Sequence, residues 1–327
     1  MRTKDKILCL WSIGKCRFFR KRVPLAVRWQ LTNRCTLRCR YCNVWKTHCD
    51  ELDFDTVAKG IDALAKLGTK RISYSGGDVL LRDDFEKILK HTSLRKIYSE
   101  MNSNGVMVKE KIKLLKYLDF IKLSLDGPED SHDFLRGNGS YRKVMQAADA
   151  CVTEGIKFGF TTTLTKYNID KLDEILKIAK YYNTIVAFQP LKKLYRGLEN
   201  IDELIPDEGY FKKAIDGLIS KKLSGNKNIR NSLLGLRHVY NCPKYKKLKC
   251  YAGWIFCIIN PDGQMCACDR ISYDRELPNI TSLSVKEALA RLPEVHCNGC
   301  GFCGSLELNY LMSFKTKVLA SIEKIIT

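Results

Sequence analysis

The run LAVRWQL (25–31) leads, after three residues, into CTLRCRYCNVW (35–45), so a β-rich segment delivers the chain directly to three cysteines. Five more β-rich runs follow: KRISYS (70–75), KIYSEMN (96–102), FIKLSLD (120–126), FGFTTTL (158–164) and TIVAFQPL (184–191). Helical patterns lie between them. In DFDTVAKGIDALAKLG the apolar residues Val57, Ile61, Leu64 and Leu67 recur every three or four positions, and Gly68 ends the run as a helix C-cap does. DDFEKILK, KEKIKLLKYL, YRKVMQAADACVTEG and KLDEILKIAKYY repeat the plan. Six strand–helix units in series predict a parallel sheet with helices outside it, and six are fewer than the eight of a closed barrel. The fold class is therefore α/β, a partial (β/α)6 TIM-like barrel.

The rhythm changes after about residue 225. CYAGWIFCIINPDGQMCACD (250–269) reads as a β-hairpin turning at NPDG, with cysteines crowded on both sides of it. The chain divides accordingly into a basic N-terminal segment (1–24), the barrel (25–225) and a small cysteine-rich domain (226–327). That last domain, closed by the amphipathic tail LNYLMSFKTKVLASIEKII, would be held poorly by its own core, so a metal is expected to staple it.

Bulk composition narrows the class. The chain has 327 residues and 15 cysteines, too long for a small disulfide scaffold. No stretch reaches the ~18–20 apolar residues of a spanning helix. The apolar run ILCLWSIG has eight residues, short for a signal peptide and without a small-residue cleavage site. A reducing cytoplasm is the expectation, and close-set thiols there mean metal or redox chemistry. The formal charge of +20 favours anionic partners, either nucleic acid, an acidic lipid surface or a phosphorylated substrate, or else reflects a solvated Lys-rich surface. Aromatics are not interleaved with the cations as single-strand binders require, so nucleic acid is not the expected partner.

Cys35, Cys39 and Cys42 follow the first strand, at the carboxyl-end rim where parallel α/β sheets bind ligands. Thiols spaced C-x3-C-x2-C can wrap one face of a cubane, three thiolates holding three irons of a [4Fe–4S] cluster and leaving the fourth open to a small molecule. Zinc would need a fourth ligand for a closed site, and Cys49 is near enough in sequence to serve.

With Tyr41 before its last cysteine, this motif resembles that of the radical S-adenosylmethionine (AdoMet, SAM) enzymes, and the likeness runs from about residue 25 to 195. SYSGGD (73–78) stands where that family has a Gly-Gly-Glu loop holding the methionine amino group. The resemblance assigns that place to Ser75, Gly76, Gly77 and Asp78, with Asp78 a shorter carboxylate than the family's Glu. NSNG (102–105) matches the family's T-N-G and brings in Asn104. KLSLDGPEDSHDFLRGNGSY (122–141) is similar to a stretch of the subgroup that carries an extra cluster domain. There the resemblance implies Ser124 near the AdoMet ribose and carboxylate, and Asp126 shaping the same rim. Arg136 either reaches the AdoMet carboxylate or forms a structural ion pair, while His132 caps or braces the loop. The implied chemistry is reductive cleavage of AdoMet and hydrogen abstraction from substrate by a 5′-deoxyadenosyl radical, with the protein excluding water and stray donors.

Cys250, twelve intervening residues, Gly263, four more and Cys268 resemble the opening of the auxiliary-cluster domains called SPASM. CNGCGFC then offers Cys297, Cys300 and Cys303, a count that suits the single auxiliary [4Fe–4S] cluster of the shorter twitch version. Two of these three would join Cys250 and Cys268, with Cys257 and Cys266 as rivals, and a structural zinc is the other reading. In sulfatase-maturating relatives an Asp in the place of Asp269 is a base; here it either acts so or caps a turn and pairs with Arg270.

The expected substrate is a peptide or small molecule, oxidised or cross-linked with help from the auxiliary cluster; a carbohydrate, lipid or tRNA is the alternative. The 24 residues before the barrel are too few for a separate precursor-peptide recognition domain, which counts against a leader-dependent peptide. An external electron donor such as flavodoxin or ferredoxin is implied. A non-catalytic iron–sulfur carrier or a zinc protein binding nucleic acid would not need the Gly-Gly-Asp and Ser-Leu-Asp-Gly loops. His48 and His238 read as surface residues, and Cys9, Cys16 and Cys151 as small buried thiols. Trp11 with CRFFRKR, and the tail, either pack on the barrel or rest peripherally on an acidic membrane surface.

Overall fold

The computed structural model describes residues 13–14, 16–191, 201–245, 247–269, 276–297 and 300–313. Trp11, Cys9, Arg270 and most of the C-terminal tail lie outside the described residues.

Six strands, β1 (Ala26–Thr32), β2 (Arg71–Gly76), β3 (Tyr98–Ser103), β4 (Phe120–Ser124), β5 (Phe158–Leu164) and β6 (Val186–Pro190), lie side by side in chain order and pair in parallel. Each falls within two residues of the run that predicts it at its start and within two at its end. Between them run helices α1 (Phe54–Leu67), α2 (Phe85–Leu94), α3 (Glu129–Arg136), α4 (Ser140–Thr153) and α5 (Leu172–Tyr181); α6 (Glu208–Leu223) and α7 (Leu233–Val239) follow β6. Helix α1 shows how the local code operates. Asp53 caps its start by accepting from Thr56 N at 2.8 Å, Gly68 in the left-handed region ends it, and Val57, Ile61 and Leu64 are fully buried. These apolar faces merge with strand residues such as Trp29, Ile72, Met101 and Ile121 in one continuous core.

The hairpin expected beyond residue 250 is present as β7 (Phe256–Ile259) and β8 (Met265–Cys266), antiparallel to each other. It does not stand apart from the barrel. β7 pairs in parallel with β1, Ala26 opposite Phe256 through Trp29 opposite Ile259, and the sheet order is β6-β5-β4-β3-β2-β1-β7-β8. The free edge of β1 presents unpaired N–H and C=O groups, which the hairpin satisfies. Hydrogen bonds also cross the boundary set at residue 225: Asn228 O accepts from Val186 N at 2.7 Å, and Arg230 N donates to Val186 O at 2.8 Å. The capping-boxed helix α8 (Val285–Arg291) and the buried helix α9 (Cys303–Met312) complete the C-terminal part. Among the described residues no helix is long and apolar enough to cross a membrane.

His238, read from sequence as a surface residue, is buried: its ring stacks on Tyr245 at 5.0 Å, and its Nδ1 shares a hydrogen bond with Tyr310 OH at 3.3 Å. The short helix α7 turns it inward with Leu236 and Val239. His48 is exposed, and Cys16 and Cys151 are buried.

Candidate active site

The cysteine loop leaves β1 and is pinned from two sides. On one side lies the turn after β2. Gly77 N donates to Thr32 O at 2.8 Å and Asp78 N to Arg34 O at 2.7 Å, so this turn and the approach to Cys35 are zipped backbone to backbone. A Cβ on Gly76 would meet Thr32 O at 2.0 Å, and one on Gly77 would meet Arg34 O at 2.0 Å; Gly76 also has φ 135°. No other residue type permits that approach.

On the other side stands helix α3. Arg40 N donates to Leu135 O at 2.9 Å, Arg40 Nε to Phe134 O at 2.8 Å, and its guanidinium lies 4.0 Å over the Phe134 ring. Tyr41 OH donates to Asp126 Oδ2, which also accepts from Arg136 Nε at 2.6 Å, while Oδ1 accepts from Thr163 N at 2.8 Å. Asp126 N in turn donates to His132 Nδ1 at 3.1 Å. This fully buried carboxylate ties the cysteine loop, α3 and β5 together. Burial opposes the charge on Arg136, but Asp126 outweighs it and holds the guanidinium's pKa above its ordinary value.

Burial first pushes the Cys39 thiol up to about 11 and that of Cys42 upward, and the neighbouring cysteines of the loop add to both shifts. Cys49, the fourth ligand a closed zinc site would need, faces Asn33, with Nδ2 3.3 Å from its sulfur. Among the described residues no three His, Cys, Asp or Glu side chains converge as ligands of a single ion do. Three thiols on a loop at the strand ends, one of them on a cavity wall, fit a cluster whose separate irons each take one thiolate.

The cavity beside this loop has a volume of about 1180 Å³. Of the residues singled out from sequence for AdoMet, Tyr41, Ser75, Gly76, Ser124 and Arg136 line it. Ser75 Oγ is buried with no hydrogen-bond partner, an orphan that a ligand in the cavity would satisfy. Gly77, Asp78, Asn104 and Asp126 stand behind the wall rather than on it. Asp78 caps the turn Val79–Leu81 by accepting from Leu80 N at 3.2 Å, and burial raises its carboxyl. Asn104 donates to Thr36 Oγ1 at 2.9 Å and lies 3.7 Å from Cys35 Sγ.

Cys250 hydrogen-bonds Cys297 and feels Cys300; that bond first, and burial second, push its thiol far up. Cys303 donates to Phe188 O at 2.7 Å, and Cys268 and Cys303 both line the cavity. Cys257 and Cys266 are buried in β7 and β8. Asp269 also lines the cavity and is ion-paired with Arg28 of β1.

Sequence reasoning passed over several cavity residues: Arg28, Arg71, Glu100, Lys122 and Arg230. The signal was available. Each of the first four is a charge inside an otherwise β-rich run, at a position whose side chain alternates toward the barrel interior.

Residues 29–179 match the family model "Radical SAM superfamily". The chain is 26% identical over 265 residues to mycofactocin maturase MftC of Mycolicibacterium smegmatis, covering 78% of this chain and 66% of that one, so it spans slightly under two thirds of that relative's length. It is 28% identical over 210 residues to pre-heme d1 synthase of Dinoroseobacter shibae, across 60% of this chain and half of the other. Among solved structures, Streptococcus suis SuiB bound to S-adenosylmethionine superposes with a TM-score of 0.69 at 15% identity, over 85% of this chain and 68% of SuiB. The structure of anSMEcpe with bound AdoMet and Cp18Cys peptide gives 0.65 at 20% identity, over 81% and 80%. Both share the fold. The chain thus carries, over residues 29–179, the domain of the radical SAM enzymes, a family that works with a [4Fe–4S] cluster and AdoMet.

Proposed function

We propose that this enzyme modifies a peptide by hydrogen abstraction, with Cys35, Cys39 and Cys42 holding the AdoMet-binding cluster. One observation carries the reading: three thiols spaced C-x3-C-x2-C at the carboxyl ends of six parallel strands, on a loop that meets a large cavity. When bound, the cluster and AdoMet supply the electron and the 5′-deoxyadenosyl radical that takes hydrogen from substrate. The protein's own residues do the rest. Tyr41, Asp126 and Arg136 fix the cysteine loop against α3, and Gly76 and Gly77 let the neighbouring turn close over it. Ser75 and Ser124 offer hydroxyls on the AdoMet side of the wall. Asp269, steadied by Arg28, faces the cavity and accepts a proton as substrate is oxidised.

Cys250, Cys268, Cys297 and Cys300 are the set we assign to an auxiliary [4Fe–4S] cluster, which would take up the electron left after abstraction. The pairing of Cys250 with Cys297 and Cys300 supports that choice over Cys303. A peptide is favoured because one relative is a maturase by name and a fold neighbour, SuiB, has a structure bound to the precursor peptide SuiA. An external flavodoxin or ferredoxin would deliver the first electron.

Anaerobic reconstitution with iron and sulfide counting, followed by reduction with AdoMet present, tests this. About eight irons per chain and release of 5′-deoxyadenosine are expected, with both the cleavage and about four irons lost when Cys35, Cys39 and Cys42 become Ala. Zinc in place of iron and no deoxyadenosine would sink it.

A further inference from the structure

The half barrel is polar far from the cysteine loop. The cavity continues along the strands to their amino ends, where Ala26, Phe120, Gly159 and Ile185 line it. Gly76 and Arg71 mark the two ends of β2, five residues or about 16 Å apart. The cavity is therefore longer than the AdoMet side of the wall alone.

Its amino end is charged. β2 contributes Arg71, β3 Glu100 and β4 Lys122, all lining the cavity. Arg230, from the segment that pairs with β6, adds a guanidinium 5.6 Å over the Phe120 ring, and Phe120 is the register partner of Glu100. Lys122 Nζ donates to Glu100 Oε1 at 2.5 Å and to Ser73 Oγ at 3.3 Å; Arg71 Nε stands 3.7 Å from the same carboxylate oxygen. Glu100 Oε2 is buried and has no hydrogen-bond partner.

An ion cluster built only for stability pairs its charges, because an uncompensated buried charge is strongly destabilising. Here three cations gather about one buried carboxylate. Desolvation first pushes Lys122 down, to about 8; the pull of Glu100 works against that, while repulsion from Arg71 and Arg230 adds to it. The next carboxyl, Glu307, accepts from Ser232 N at 3.0 Å, and burial pushes its pKa upward, away from the charged form. Around the whole cavity seven cationic side chains face four acidic ones among the described residues. At the amino end itself, Arg71, Lys122 and Arg230 outnumber the one carboxylate, Glu100, about which they gather.

We propose that Arg71, Lys122 and Arg230 form a subsite for an anionic end of the substrate, a carboxylate or a phosphate, anchored at the amino ends of the strands. The anchor holds the substrate lengthwise in the cavity and presents its other end to the AdoMet side. This rests on the cavity being the substrate chamber of the radical enzyme.

The test is isothermal titration calorimetry, under anaerobic conditions, of the reconstituted full chain with inorganic phosphate and, separately, with succinate. About 0.15 M ionic strength screens exposed charges beyond roughly 8 Å. Saturable binding of at least one anion is expected, weakened tenfold or more by Arg230→Gln and by Lys122→Gln. Saturation by succinate alone identifies a carboxylate, by phosphate alone a phosphate, and by both a general anion site. Arg230→Gln leaves the Lys122–Glu100 pair in place and so decides the matter if Lys122→Gln does not fold. Absence of saturable binding to the native enzyme, or Arg230→Gln binding as tightly as native, overturns the subsite. Deoxyadenosine formation by the native enzyme is measured alongside. If it occurs without anion binding, only the subsite falls; anion binding without it removes only the radical reading.

Discussion

Arg136 Nε donates to Asp126 Oδ2 at 2.6 Å, and that oxygen also accepts from Tyr41 OH in the middle of the cysteine loop. The ion pair is thus the buried joint between the strand-four rim and the loop that carries the thiols. Breaking one partner of such a pair costs about 3–5 kcal/mol, because the other charge is left buried. Arg136→Gln is expected to lower thermal stability by that order and to leave the reconstituted enzyme short of iron. Melting temperature and iron content check it; native values for both would show that the joint is dispensable.

The turn after β2 gives a steric prediction. Gly77→Ala places a Cβ 2.0 Å from Arg34 O, a backbone atom that cannot swing aside, so the approach to Cys35 must shift. Loss of most iron incorporation at the AdoMet cluster is expected. Gly217→Ala in α6 meets nothing within 4 Å and replaces a helical glycine, so it should stabilise by about 0.5–1 kcal/mol. Equal iron contents in the two variants would contradict the argument.

His132 accepts from Asp126 N through Nδ1, which only the neutral ring can do. Burial first, and Arg136 second, lower its pKa to about 4 from an ordinary 6.5. Between those values the unfolded chain binds a proton that the folded chain refuses, so stability is full above about pH 6.5 and falls as pH drops toward 4. At about 1.4 kcal/mol per pH unit the loss is at most about 3.5 kcal/mol, and it levels off below pH 4. Denaturant melts of native and His132→Asn protein across this range should converge at low pH; parallel curves would rule the histidine out.

Cysteine substitutions separate the second set. Cys300→Ala is expected to lose about four irons, because Cys300 neighbours the Cys250–Cys297 pair, whereas Cys303→Ala should keep them, its sulfur being engaged with Phe188 O. Iron counts after reconstitution decide between them.

Much of this was legible along the chain. The six strands and α1 are set by local pattern: β-rich runs, apolar residues every three or four positions, a capping Asp53 and a closing Gly68. The spacing of Cys35, Cys39 and Cys42 directly after a strand already placed thiols at the ligand-binding rim, because a parallel strand must end there. What the chain could not show are relations between residues far apart in sequence that no local periodicity encodes. Asp78 accepts from Leu80 N in its own turn and from Thr36 Oγ1 across in the cysteine loop, 42 residues away. Asp269 found Arg28, 241 residues away, because the C-terminal hairpin joined the free edge of β1. His238 went inward because α7 had a ring to stack on. The charged amino end of the barrel arises only when parallel pairing sets β2, β3 and β4 side by side, so that Arg71, Glu100 and Lys122, one per strand, meet, and Arg230 returns beside β6. Hydrophobic period and turn chemistry are short-range and can be read in one dimension; charge pairing and cavity shape depend on which strands become neighbours, and only the folded sheet decides that.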